Sequence, residues 1–338
     1  MTEGRTAASE SGLLAAAREG DEQAFVRLTG PHRQALHVQC YRILGSLHDA
    51  DDALQETMLR AWRGIDRFEP RAPLVAWLYR VATNVCLRMV EQRGRHAAAT
   101  VDAHLEPYPD RLLEGIPSRE PGPDAVVEER EGVGLAFVTA MQLLPAKQRV
   151  VVVLRDVLGW SAHEVADLLE DSVASVNSAL QRGRERLERE RREGSLTRVH
   201  APADARTETR LMERFQEAWA AVDIQGLVAL LADDALMTMP PDAARVDGGA
   251  QIGTFFATVP MGGNLDRIRL VEARANGQPA LAAYAQEDEG GVFGAYGVMV
   301  FAIDEDRISG IVGFPHVDRP ELFTRLGLPT ELAADDAD

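Results

Sequence analysis

WSAHEVADLLEDSVASVNSALQRGRERLERE, residues 160–190, decides the reading of the fold. Ser161 and Glu164 stand at the S-x-x-E spacing of a capping box, which marks a helix start. Val165, Leu168 and Leu169 form the apolar stripe of that helix. A short turn at Glu170-Asp171 then leads to Ser172, a good N-cap for a second helix. In the second helix Val173, Val176, Leu180 and Leu187 fall on one face. The other face carries Ser175, Asn177, Ser178, Gln181, Arg182, Arg184 and Arg186. Two helices joined by a tight turn, the second polar and Arg-bearing outside, describe a reader of the DNA major groove. Asn and Gln can pair with adenine edges, and Arg with guanine or phosphate. An ordinary helical hairpin with a solvated face is the alternative from this segment alone.

Charge at first argues against nucleic acid. The 338 residues hold 36 Lys+Arg and 53 Asp+Glu, a net of −17. The distribution changes that reading. Residues 1–200 carry a net of −4 and residues 201–338 a net of −13. Within the first part, residues 60–95 are at +5 and residues 172–200 at +3. Both basic islands are built from arginine, and Lys147 is the only lysine. Arginine's planar fork suits phosphates and base edges. Apolar runs such as Val150 to Leu154 and Val298 to Ile303 fall far short of the ~20 residues of a membrane helix. The start, MTEGRTAASESGLL, has no basic and apolar regions of a secretory signal, so a cytosolic location is expected. Cys40 and Cys86 are too few for a disulfide framework or zinc site and read as reduced, buried thiols.

Working outward, residues 11–95 have helical periodicity. LLAAAREGDEQAFVRL and QALHVQCYRIL are followed by a break at Gly45-Ser46. Asp49 then opens DADDALQETMLRAWRGI, with Ala50, Ala53, Leu54, Thr57, Met58, Ala61 and Trp62 as its apolar stripe. After FEPRAPL a further helix, VAWLYRVATNVCLRMVEQRGR, is predicted. Residues 96–124 are rich in Pro and lack periodicity, and read as a linker that is mobile unless it docks. A second helical block spans 125–193. The last unit, 206–328, begins with an amphipathic helix and continues into strand-like runs at LMTM, RIRLVEAR, PALAAYAQ, YGVMVFAI and RISGIVGF. Asn276-Gly277 between two runs is a hairpin signal, since both residues tolerate positive φ. Helices followed by an antiparallel meander give an α+β domain.

Two stretches, DADDALQETMLRAWRGIDRF with LVAWLYRVATNVCLRMVEQRGR, and LPAKQRVVVVLRDVLGWSAHEVADLL running into the helix-turn-helix, resemble the two modules of extracytoplasmic-function (ECF) sigma factors, over about residues 13–192. The resemblance implies two all-α modules, at 11–95 and 125–193. It implies that Asp52, Gln55 and Glu56 contact the β′ clamp helices of core RNA polymerase. Arg80, Asn84, Arg88, Arg93 and Arg95 would serve the −10 element, with arginines on phosphates and Asn84 on a base. Trp77 reads as core. The helix from Ser172 would read the −35 element of promoter DNA through Ser175, Asn177, Ser178, Gln181, Arg182, Arg184 and Arg186. Relatives usually have a small residue or Gly where this chain has Glu170-Asp171. Two acids beside the groove would repel phosphate, so this module is expected to bind weakly without polymerase.

Residues 208–328 resemble the SnoaL-like domain, a cone-shaped α+β fold, on the helix RLMERFQEAWAAVDIQGLVALLADDA, the MPP at 239–241, the GG at 248–249 and the ANGQPA hairpin. That likeness implies an apolar pocket for an unknown small ligand and a regulatory part. Some such domains are isomerases or cyclases. Asp223, Asp247 and His316 are the candidate acids and bases, but they read equally as an N-cap, a turn residue and a loop histidine, and no telling pair appears. The expectation is therefore a multi-domain, non-enzymatic sigma factor without cofactor or metal, tuned by its C-terminal domain. A ligand-responsive regulator acting without polymerase, and an isomerase or cyclase fused to a DNA-binding module, are the rivals.

Overall fold

A computed structural model describes residues 3–69, 73–96, 105–114, 134–192, 203–240, 244–288, 290–318 and 321–333. In chain order the helices are α1 (Glu3–Arg18), α2 (Glu22–Thr29), α3 (Arg33–Leu44), α4 (Leu47–Gly64), α5 (Leu74–His96), α6 (Leu135–Gln142), α7 (Ala146–Val152), α8 (Ala162–Leu169), α9 (Val173–Arg192), α10 (Ala205–Ala220) and α11 (Ile224–Leu230). Then follow β1 (Leu231–Thr238), β2 (Arg245–Asp247), α12 (Gly249–Thr258), β3 (Ile268–Ala275), β4 (Gln278–Ala285), β5 (Phe293–Asp304), β6 (Arg307–Pro315), α13 (Leu322–Leu326) and β7 (Glu331–Leu332). The chain forms two compact units. The described residues of the first lie in 3–96 and 145–183, and those of the second in 105–114, 134–144 and from 184 onward.

The first unit is all helical. Gly45 ends α3 at φ +75°, and the Ser46 hydroxyl accepts from the Asp49 amide to start α4, two residues earlier than the sequence reading placed it. Ala50, Ala53, Thr57, Met58 and Ala61 of α4 are buried, and from Leu36 to Leu44 every residue of α3 is buried. Such a helix sits in the middle of its unit. Cys40 and Cys86 are free and buried, and a hydrogen bond to Cys40 together with burial pushes the Cys86 thiol up. Trp77 is half-buried against Phe68, ring centroids 5.1 Å apart. The last turn of α7 widens into a π-helical stretch, Val153–Val157, before the turn into α8.

The second unit carries a seven-stranded sheet in the order β2-β1-β6-β5-β4-β3, with β7 on β5. Strands β3 to β6 form the expected antiparallel meander, and β1 joins β6 in parallel. Asn276 and Gly277 turn β3 into β4 at φ +61° and +70°, and Glu305 turns β5 into β6 at +52°. One sheet face packs on α10, α11 and α12. Phe215, Trp219, Phe256 and Phe301 meet there at centroid distances of 5.1–6.0 Å. The Trp219 indole N–H donates to the Ile268 carbonyl at 3.2 Å. The residues Leu231 to Ala235, read as the end of a helix, are strand.

Between α10 and α11, Val222 takes φ +54° while 41% exposed. A β-branched residue is strained there. Val222→Gly is expected to raise the stability of this domain by up to about 1 kcal/mol, read as a higher melting temperature. An unchanged or lower value would contradict the strain argument.

Candidate nucleic-acid interface

The helix-turn-helix forms as its sequence requires. Ser161 and Glu164 make both hydrogen bonds of the capping box, and Val165 and Leu168 are buried. Glu170 closes α8 in the left-handed conformation, φ +55°, which is why a glycine suits this position. The Ser172 hydroxyl accepts from the Ser175 amide at 3.1 Å and so starts α9. Val176 and Leu180 anchor α9. Val173, assigned to the same face, is instead 39% exposed, because it lies in the first turn beyond the packed stripe. Asn177, Ser178, Gln181, Arg182, Arg184 and Arg186 are exposed on α9 and Ser175 is half-buried.

Both acids of the turn are paired within the protein. The Glu170 carboxylate takes a hydrogen bond from the Arg80 guanidinium at 3.0 Å. Asp171 pairs with Lys147, whose ammonium also donates to the Ser175 hydroxyl at 3.0 Å. The Lys147 contact, followed by the Ser172 amide, holds the Asp171 carboxyl below its usual range. Neither partner was visible in the local sequence, since Arg80 lies 90 residues and Lys147 24 residues away.

Helix α5 shows its basic residues unevenly. Asn84 and Arg88 are exposed. Arg80 is tied to the end of α8, donating to the Asp167 carbonyl at 2.8 Å as well as to Glu170. Next to it Tyr79 meets Trp160 edge to face, 5.8 Å between centroids. The side chains of Arg93 and Arg95 lie outside the described residues. A third tie joins the two helical parts of this unit, where the buried Arg149 guanidinium donates to the Ile43 carbonyl at 2.8 Å. On α4, Asp52 and Gln55 are exposed and Glu56 is half-exposed, with Glu56 bonded by Arg60 at 2.6 Å. Leu59, missed by the sequence reading, continues that face and is 44% exposed.

In the second unit, residues 105–110 lie along the β3–β4 turn. Tyr108 is fully buried. Its amide donates to Asn276 Oδ1 at 2.8 Å, and the Asn276 amide donates to its carbonyl at 2.7 Å. Asp110 takes the Gly277 amide at 2.7 Å and an ion pair from Arg274 at 3.3 Å. Arg274 also reaches Glu208 on α10 at 2.9 Å. Burial pushes the Asp110 carboxyl up despite these partners. The first residue of α6, Leu135, donates its amide to Gln278 Oε1 at 2.7 Å. The candidate acids and bases are dispersed. Asp223 caps α11 through the Gly226 amide, Asp247 pairs with Arg245 at 2.7 Å, and His316 packs its ring on Phe323 at 5.3 Å. No group of three or more His, Cys, Asp or Glu able to hold a metal occurs among the described residues.

Family models match this architecture in order: Sigma-70 region 2 at residues 28–96, Sigma-70 region 4 at 134–187 and a SnoaL-like domain at 212–311. ECF RNA polymerase sigma factor SigG of Mycobacterium tuberculosis is 37% identical over 332 residues, covering 93% of this chain and 86% of that protein. The chain belongs to the ECF sigma factors. SigM of the same species is 34% identical over 186 residues, 55% of this chain and 86% of its own. The crystal structure of M. tuberculosis SigJ, at 21% identity, shares the fold with a TM-score of 0.62 over 88% of this chain and 98% of that one. For an ECF sigma factor, α4 and α5 fall in the region 2 match, α6 to α8 and most of α9 in region 4, and the residues between the two matches include those laid along the β3–β4 turn. No helix among the described residues is long and apolar enough to cross a membrane.

Proposed function

We propose that this ECF sigma factor binds core RNA polymerase through the α4 face of Asp52, Gln55 and Glu56 and directs initiation at promoters read by α5 and α9. Asn84, Arg88, Arg93 and Arg95 serve the −10 element, and Arg80 joins them once released from α8. Asn177, Ser178, Gln181, Arg182, Arg184 and Arg186 serve the −35 element, with Ser175 at its edge. The relatives named above support the polymerase role. The observation that carries the promoter role is the exposed polar and arginine face of α9 behind a fully formed helix-turn-helix. The arginines give affinity by phosphate neutralisation, and Asn and Gln give base discrimination.

The C-terminal domain acts as a regulator on the segment between the two matched regions. The hydrogen bonds of Tyr108 and Asp110 to the β3–β4 turn support this. The likeness of the whole chain to SigG, a sigma factor, supports a non-catalytic role in the cytoplasm.

Co-purification with core polymerase followed by run-off transcription tests the reading, and failure to bind core overturns it. Glu56→Arg reverses a charge in the α4 face and is expected to weaken capture by core at least about tenfold, with only a small fall in melting temperature from the lost Arg60 pair, worth about 0.5 kcal/mol. Truncation after Arg192 is expected to change the transcript yield, and an unchanged yield removes the regulatory role.

A further inference from the structure

We propose that Lys147 supports −35 recognition electrostatically, as a cation outside the helix-turn-helix that neutralises Asp171 at the edge of the reading surface. The inference rests on the assignment of α9 to the −35 element. Lys147 is the only lysine in a chain that otherwise uses arginine, and it sits on α7. An ammonium is a compact point charge with three rotatable donors, where arginine offers a rigid fork. Here two of the donors are committed, one to the Asp171 carboxylate and one to the Ser175 hydroxyl at 3.0 Å.

The contacts close into a ring around the start of the recognition helix. Asp171 Oδ1 accepts the Ser172 amide at 2.7 Å, and Ser172 Oγ accepts the Ser175 amide at 3.1 Å. Lys147 then spans from Asp171 to Ser175 and ties both ends of that turn to α7. Two consequences follow. First, the carboxylate that would repel the DNA backbone is compensated before DNA arrives, so removing the lysine exposes phosphate to an uncompensated charge. Second, Ser175 is engaged within the protein, so base discrimination falls to Asn177, Ser178, Gln181 and Arg182. The contribution of Lys147 is therefore electrostatic and independent of the −35 sequence.

The test uses the full chain with core polymerase and a linear promoter pool with a randomised −35 hexamer. Wild-type holoenzyme first selects a preferred hexamer. Enrichment of no hexamer overturns the −35 assignment of α9 itself, separately from the role of Lys147. Occupancy of the selected promoter is then compared for Lys147→Gln, Lys147→Arg, Asp171→Asn and the double variant Lys147→Gln/Asp171→Asn. Lys147→Gln is expected to lose about five- to tenfold in occupancy at low salt, with the deficit shrinking as salt rises. Lys147→Arg should stay within about twofold of wild type, and Asp171→Asn should bind at least as well as wild type. The double variant should recover to within about twofold of Asp171→Asn, because the repelling charge is gone. A deficit that persists in the double variant overturns the proposal. If it comes with a salt slope lower by about 1, Lys147 is a direct phosphate contact instead. A change in the selected hexamer also overturns it. Should Lys147→Gln melt early, Asp171→Asn alone decides, since weakened binding by that variant contradicts neutralisation.

Discussion

Replacing Phe215 with alanine is expected to cost the C-terminal domain about 3–5 kcal/mol. Phe215 is fully buried and touches three other rings, with centroids 5.9 Å from Trp219, 6.0 Å from Phe256 and 5.1 Å from Phe301. The three neighbours come from α10, α12 and β5, so the ring is the contact through which the helices hold the sheet face. Helix α10 cannot collapse into the void without breaking the Trp219 bond to the Ile268 carbonyl. A loss of this size is a large share of the 5–15 kcal/mol of an ordinary domain, and the melting transition should fall by more than about 10 °C. The consequence reaches function, since the β3–β4 turn that receives Tyr108 and Asp110 belongs to the same sheet. Phe215→Ala, assayed above its own melting point, should therefore transcribe like the chain truncated after Arg192. Calorimetry of the full chain checks the first part and run-off transcription the second. A transition that stays in place would place the centre of this core elsewhere.

How much of this could be read from residues alone depended on the range of the interaction concerned. The capping box at Ser161 and Glu164, the N-cap at Ser172 and the Asn276-Gly277 hairpin are local, and the sequence showed each where the structure has it. Helix α12, GAQIGTFFAT, carries Gly249 and Gly253, poor helix formers. Its sequence carries no strong helical signal. A Cβ at Gly253 would stand 2.4 Å from the Val228 side chain, so the glycine is demanded by packing against α11 rather than by the helix. Leu231 to Ala235 has the Ala and Leu of a helix. It becomes strand because Leu231 pairs with Ile308 and its carbonyl takes the Arg307 guanidinium at 3.1 Å. Residues 105–110 have no periodicity of either kind, and Tyr108 is buried by partners near residue 276. The site residues divide the same way. The polar face of α9 was legible as a helical stripe, whereas the partners of Arg80, Glu170 and Asp171 are long-range choices of the fold.

Asn276→Ala is the second large effect expected, and it tests whether the hairpin turn holds the segment between the promoter modules. The side chain does two tasks. It tolerates φ +61°, which costs alanine about 1 kcal/mol, and its Oδ1 accepts the amide of the buried Tyr108. Loss of that acceptor removes a buried hydrogen bond, worth about 1–3 kcal/mol. The first term falls on the turn in both states, so release of the segment is shifted by the second alone, about 2 kcal/mol or roughly thirtyfold. Hydrogen exchange at Tyr108 and limited proteolysis across residues 105–114 should both accelerate by about that factor, with the melting of the first unit unchanged. Asp110 adds a pH dependence of known sign. Burial raises its carboxyl in the docked state, so the docked form favours the protonated acid. Its contribution is fully present below the ordinary carboxylate range and is lost as pH rises through the raised value. Docking should accordingly be firmest in acid and loosen toward neutral pH, and Asp110→Asn should abolish that slope while keeping an acceptor for the Gly277 amide. Protection at Tyr108 that weakens as the medium is acidified would reverse the assigned sign. Protection unchanged by Asn276→Ala would mean that Arg274, through Asp110 and Glu208, holds the segment without the turn.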